Sequence, residues 1–172
     1  AFFKDRLFWN TVIILFFYLC AEAAITGWLV KYFVDANIMN VQQAQMLASL
    51  LWLAILAGRL ICTFYGDRLE RSRLLLFISI GTSIFYFLLL STQNYSIIVL
   101  AILGLGASMG GIYPTAMTIA GASIKKYPMA MGWLLIIGGI GGITMPIVTG
   151  ILSTNFGIFA GMSAIIVAIV IM

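Results

Sequence analysis

The sequence predicts an all-α polytopic membrane protein with six transmembrane helices. Three observations carry this. Of 172 residues, 63% are hydrophobic and 8% charged, with a mean hydropathy of +1.16, so too little polar surface remains to cover a core in water. The apolar residues fall into six runs that meet or approach the roughly 20 residues a helix needs to cross about 30 Å of hydrocarbon. The charged residues lie mostly in the connections between these runs. No ten-residue alternation of apolar and polar side chains appears, which argues against a lipid-facing β-barrel.

The runs cover residues 11–34, 46–65, 74–91, 97–120, 129–152 and 156–172, a single transmembrane domain over 1–172. The first starts only at Thr11 and five more follow it, so it does not read as a cleaved signal peptide. Lys4 and Arg6 precede the first run, Arg68, Arg71 and Arg73 follow the second, and Lys125 with Lys126 follows the fourth. Arg59, late in the second run, can snorkel to that same side. The opposite connections hold Lys31 and Asp35, then 91–96 and 153–155 without charge. Eight of the nine basic residues thus share one side, which the positive-inside rule makes cytoplasmic. Both ends are expected in the cytosol, and the location a cell (plasma) membrane.

A net charge of +4 in a soluble protein would suggest nucleic acid, but here the basic residues separate helices and form no face. No nucleic-acid partner is expected, and the lipid bilayer is. There is no histidine and there are two cysteines, which removes most zinc and haem constellations. Cys20 and Cys62 each lie within an apolar run, where a free thiol is a small packing group. Neither a disulfide nor a metal or cofactor is expected. The sixth run has 17 residues and stops at Met172 without a flanking charge or aromatic anchor, so the sequence reads as a segment of a longer protein.

Within the runs, Glu22 stands eleven residues beyond Thr11, about 17 Å along a helix and near the bilayer centre. A charge at that depth costs about 2.5 to 3.5 kcal/mol on insertion scales. Its Leu, Ile and Phe neighbours offset enough for insertion but not for contact with lipid. Tyr18, Glu22 and Thr26 recur at spacing four and form one polar stripe that faces a bundle interior or a watery cavity. Hydroxyls of a sugar or polyol pair naturally with a carboxylate, a phenol and a hydroxyl. Loss of water favours a neutral carboxyl, which makes Glu22 a candidate proton carrier. A hydrogen-bonded structural acid is the alternative.

The fourth run combines Gly104, Gly106, Gly110 and Gly111 with Tyr113, Pro114 and Thr115, which predicts close packing and a local break. The fifth repeats the device with Gly138, Gly139, Gly141, Gly142, Thr144 and Pro146. Tyr113, Pro114, Thr115 and Thr144 are therefore candidates for a solute or ion pathway. Glycines four apart, at Gly106 and Gly110, Gly138 and Gly142, and Gly157 and Gly161, let helices approach, and packing is the simpler account of each. They are not phosphate loops, because no strand precedes them and no lysine follows at the nucleotide-binding spacing. The stretch from Gly58 and Arg59 through Asp67, Arg68 and Arg71 alternates acids and bases. It can latch one end of the bundle, or simply fix its orientation.

In combination these features resemble the second six-helix half of a major facilitator transporter, closest to the fucose permease and sugar porter branches. Tyr18, Glu22, Gly27 and Trp28 fit the family's seventh helix, with Cys20 in place of a glycine. Gly58, Arg59, Asp67, Arg68 and Arg71 are similar to the family's loop between the second and third helices of each half. Thr63, Glu70 and Ser72 stand where glycine, glycine and a basic residue are commonest, as in looser second-half copies. The runs 104–115 and 138–150 resemble the tenth and eleventh helices, including Pro114 and Pro146.

The resemblance implies secondary transport of a small solute by alternating access, with an amino-terminal half of six more helices as partner; Glu22 as a candidate carrier adds protons as a coupling ion, with sodium the alternative. A six-helix sensor or scaffold, or a small transporter completed by dimerisation, stays open. A membrane-embedded enzyme has least support: there is no histidine, no paired intramembrane carboxylates, and the cysteines lie in different helices. No catalytic residue is assigned.

Overall fold

The computed structural model describes residues 6–66, 70–127 and 129–172. Among these residues there are six helices and no strand: α1 (Arg6–Asp35), α2 (Val41–Tyr65), α3 (Arg71–Ser91), α4 (Tyr95–Lys126), α5 (Met129–Phe156) and α6 (Ile158–Ile171). Five are long and apolar enough to span a membrane, while α6, with 14 residues, is shorter.

Helix ends are set by polar side chains and backbone turns that hydropathy does not register. Asn40 accepts from the Gln43 N–H at 2.9 Å while Gln43 accepts from the Asn40 N–H at 3.4 Å, and this capping box starts α2 five residues before the apolar run begins. At the other end of α5, Ser153, Thr154 and Asn155 are helical, not a connection. The Thr154 hydroxyl donates to Gly150 O at 2.9 Å and the Asn155 amide to Ile151 O at 2.8 Å, so their polar groups are satisfied inside the helix. The reversal falls instead on Gly157, whose φ of +91° suits glycine and which alone separates α5 from α6. Both proline-containing helices are continuous through Pro114 and Pro146, where a local break was expected. Lys125 and Lys126 occupy the last turn of α4, where cations complement the helix dipole.

Contact registers give the helix directions. Leu51 and Ile55 of α2 meet Gly106 and Gly110 of α4 in parallel order. Leu15, Leu19 and Trp28 of α1 meet Gly138, Gly142 and Gly150 of α5, also in parallel order. Phe85 and Ile78 of α3 meet Gly104 and Gly111 of α4 in antiparallel order. A cluster of Phe8, Val12, Leu15, Ala116, Ala120, Ala130 and Leu134 joins the start of α1, the end of α4 and the start of α5. One end of the bundle therefore gathers Arg6, Arg71, Arg73, Lys125 and Lys126, as the connection charges anticipate. A larger apolar core of α1, α2, α3, α4 and α6 includes Tyr86, whose hydroxyl donates to Met162 O at 2.8 Å and ties α3 to α6.

Small residues let these backbones touch. A Cβ on Gly110 would collide with Ile55 O and one on Gly58 with Ala107 O. On Gly106 it would sit 2.6 Å from the Ala54 methyl, and on Gly141 2.6 Å from Phe16 O. Where lipid removes the hydrophobic drive between helices, this close backbone contact supplies the association.

These contacts predict opposite outcomes for two similar substitutions. Gly110→Ala is expected to destabilise by about 1 to 3 kcal/mol through overpacking. Gly139→Ala, with nothing within 4 Å of its added methyl, should be neutral or stabilising by up to about 1 kcal/mol through helix propensity. Thermal unfolding of the detergent-purified complete protein, read from both variants, checks the contrast.

Candidate pathway site at the α1, α2 and α4 junction

The 30 residues of α1 extend about 45 Å at 1.5 Å each, and Glu22 lies near their middle. Spacing by four puts Tyr18, Glu22 and Thr26 on one side of that helix. The Tyr18 hydroxyl donates to Glu22 Oε1 at 2.8 Å. Thr26 turns its hydroxyl back onto the helix and donates to the Glu22 carbonyl at 2.7 Å.

Arg59 completes the cluster from α2. Its Nη2 donates to the same Glu22 Oε1 at 3.2 Å, an ion pair between two helices that otherwise pack lightly. The Glu22 side chain is 12% exposed and that of Arg59 44%. Arg59 was grouped by sequence with the loop at the end of α2, yet its guanidinium points to mid-height of α1. The signal for this was present: besides Lys31 near one end, Glu22 and Arg59 are the charged residues inside the apolar runs. An unpaired charge in hydrocarbon is costly, so two opposite ones seek each other.

Tyr113 brings α4 to the same place, its ring centroid 6.3 Å from that of Tyr18 at an interplanar angle of 46°. Its hydroxyl has no hydrogen-bond partner among the described residues. A neutral pair, two phenols and a half-exposed guanidinium with spare N–H donors can take up a polar solute.

The other sequence-derived candidates sit elsewhere. Pro114 and Thr115 lie about 100° and about 200° around α4 from Tyr113. With Cys62, Thr63, Arg71 and Thr118 they line a separate cavity of about 210 Å³ between α2, α3 and α4 at the basic end. Thr144 is exposed beside an apolar groove with Phe16, Phe17 and Val167, and its hydroxyl donates to Ile140 O at 2.7 Å. It does not reach the Glu22 cluster. In the proposed cytoplasmic latch, Gly58 packs on Ala107, Arg71 opens α3, and Asp67 and Arg68 lie outside the described residues.

Trp28, which the sequence marks only through its fit to the family's seventh helix, has a defined structural role. Its indole N–H donates to Pro146 O at 3.1 Å, and its ring occupies space that a Cβ on Gly150 would invade at 3.0 Å. This tie joins α1 to α5 about 1.7 turns beyond Glu22, and no local pattern around Trp28 announces a partner 118 positions away.

Comparison with known proteins places this geometry in context. Residues 11–172 match the family model described as Major Facilitator Superfamily. The chain is 25% identical over 147 residues to a protein TsgA homolog of Yersinia pseudotuberculosis serotype O:1b (strain IP 31758), covering 85% of this chain and 37% of that relative. It is likewise 25% identical over 146 residues to a protein TsgA homolog of Yersinia pestis (strain Pestoides F), covering 84% and 37% respectively. The chain thus spans little more than a third of the length of these curated relatives. With the family match covering nearly its whole length, the all-helical chain belongs to the Major Facilitator Superfamily.

Proposed function

We propose that this chain forms one wall of a secondary active transporter that moves a small polar solute, a sugar or similar organic molecule, across a plasma membrane by alternating access and with proton coupling. Membership in a family of membrane transporters supports the general class. The observation that carries the specific reading is the Glu22–Arg59 pair, joined at 3.2 Å near mid-height of α1 and still open on the arginine side. A bilayer tolerates such charges only against protein or water, and they characteristically mark ion and solute routes.

Coupling follows from charge compensation. While Glu22 is ionised, it holds Tyr18 and Arg59 on one oxygen. A proton on that carboxylate abolishes the ion pair, so α1 and α2 lose their charge link. Proton occupancy thereby biases two arrangements of the same helices, which is what a coupled carrier needs.

An amino-terminal half supplies the facing wall in this reading, and the share of the curated relatives left uncovered leaves room for it. The end that gathers Arg6, Arg71, Arg73, Lys125 and Lys126 is then the cytoplasmic one. Gly58, Arg59, Asp67, Arg68 and Arg71 belong to the gate at that end, with Arg59 linking gate and site.

Two outcomes test the reading on the complete protein in liposomes. Glu22→Gln should abolish accumulation driven by a pH gradient while leaving solute exchange at equal concentrations intact. Persistent accumulation with unchanged pH dependence would remove Glu22 from coupling. A double-mutant cycle on thermal stability should return a coupling of about 0.5 to 3 kcal/mol between Glu22→Gln and Arg59→Gln. Additive effects would mean that the two side chains do not form a working pair.

A further inference from the structure

Resting on the proton-coupled reading above, we infer that the solute is a small hydroxylated monocarboxylate, bound through its carboxylate by Arg59, and that it replaces Glu22 as the counter-charge when Glu22 takes the proton.

Three polar side chains surround Glu22. Tyr18 faces it from its own helix, Arg59 from α2 and Tyr113 stands beside the pair on α4. The remaining ionisable side chains of α4, Tyr95, Lys125 and Lys126, lie at its two ends, and α5 and α6 carry none at all. Among the described residues, Glu22 and Arg59 therefore balance each other, with no other charged side chain beside them.

A proton added to Glu22 leaves the cluster with one uncompensated positive charge. A neutral sugar bound there would leave that charge unpaired through the whole crossing. A monoanion cancels it. The empty carrier, with Glu22 ionised against Arg59, and the loaded carrier, with Glu22 neutral and a carboxylate against Arg59, then carry the same net charge. Both states avoid a lone charge in a poorly solvated site, whose cost otherwise opposes reorientation.

The geometry of the pair suits an exchangeable partner. Arg59 makes a single hydrogen bond to Glu22, through Nη2 at 3.2 Å, and not the short bidentate fork that guanidinium and carboxylate form at their best. Its side chain is 44% exposed against 12% for Glu22, so the open side of the pair is the cation. A guanidinium has five donors in a planar fork, and those not used here can grip a second carboxylate. The Tyr113 hydroxyl, without a hydrogen-bond partner among the described residues, and the Tyr18 and Tyr113 rings can meet the hydroxyls and C–H faces of the rest of the solute. In the cycle, one proton and one monoanion enter together and leave together. No bond to carbon is made or broken.

The test uses the complete protein in liposomes, with gluconate, glucuronate and lactate set against their neutral counterparts glucose, sorbitol and glycerol. The expected result is accumulation of at least one carboxylate driven by a pH gradient and insensitive to an imposed membrane potential. Accumulation of neutral solutes alone, responding to potential as well as pH, would overturn the carboxylate assignment and leave proton-coupled transport standing. No driven flux in either series would overturn both. A second measurement guards against variants that fail to fold. Glu22→Gln removes the competing anion and keeps Arg59, so the carboxylate that stabilises the wild type against heat should bind this variant about tenfold more tightly at neutral pH. Unchanged or weaker binding would mean that Arg59 is not its receptor. Arg59→Lys should retain part of the affinity and Arg59→Gln lose it.

Discussion

A charge in hydrocarbon must find its counter-charge inside the protein, and the relative placement of α1 and α2 answers to that constraint. Glu22 stands near the middle of α1, and Arg59 reaches it from α2, a helix that makes few other contacts with α1. A pair of this sort contributes little to stability for its own sake, because desolvating two ions consumes most of what their attraction returns. Removing one partner is what costs dearly. The pair therefore works as a specification of relative helix position more than as a strut, and one that a proton can cancel.

Around it, the remaining contacts are of the opposite character. α4 meets α2 through Gly58, Gly106 and Gly110, and α5 meets α1 through Gly141, with backbone against backbone and no room for a methyl group. Such seams are stiff, since interiors packed this closely transmit displacement instead of absorbing it. The α1–α2 boundary is lighter and carries the Glu22–Arg59 ion pair beside its share of the apolar core, so the molecule combines closely packed pairs with one boundary whose charge link a proton can cancel. Trp28 reinforces the rigid side by binding α5 at the carbonyl of Pro146.

Much of this was legible in the residues. The apolar runs, the basic connections and the depth of Glu22 come from composition and counting, and the stripe of Tyr18 and Glu22 follows from helical spacing. Helix ends were less legible where polar residues continue a helix, as at Asn40 with Gln43 and at 153–155, because side-chain capping is invisible to hydropathy. Arg59 could have been matched to Glu22 by charge alone, yet its nearness to the basic loop in sequence drew it there. Thr144 shows the reverse difficulty: a hydroxyl near glycines and a proline suggests a pathway, but α5 rotates it onto an apolar groove. Which way a residue faces on a uniformly hydrophobic helix depends on neighbours far along the chain.

The reversal between α5 and α6 takes up a single residue, Gly157. A hinge that short has no slack, so a tilt of α5 must drag the start of α6 with it. The Tyr86 hydroxyl in turn fastens α3 to Met162, one turn into α6. The glycine thus acts as a knuckle through which a movement of the α1–α5 unit is handed to the far side of the bundle, without any long loop to dissipate it.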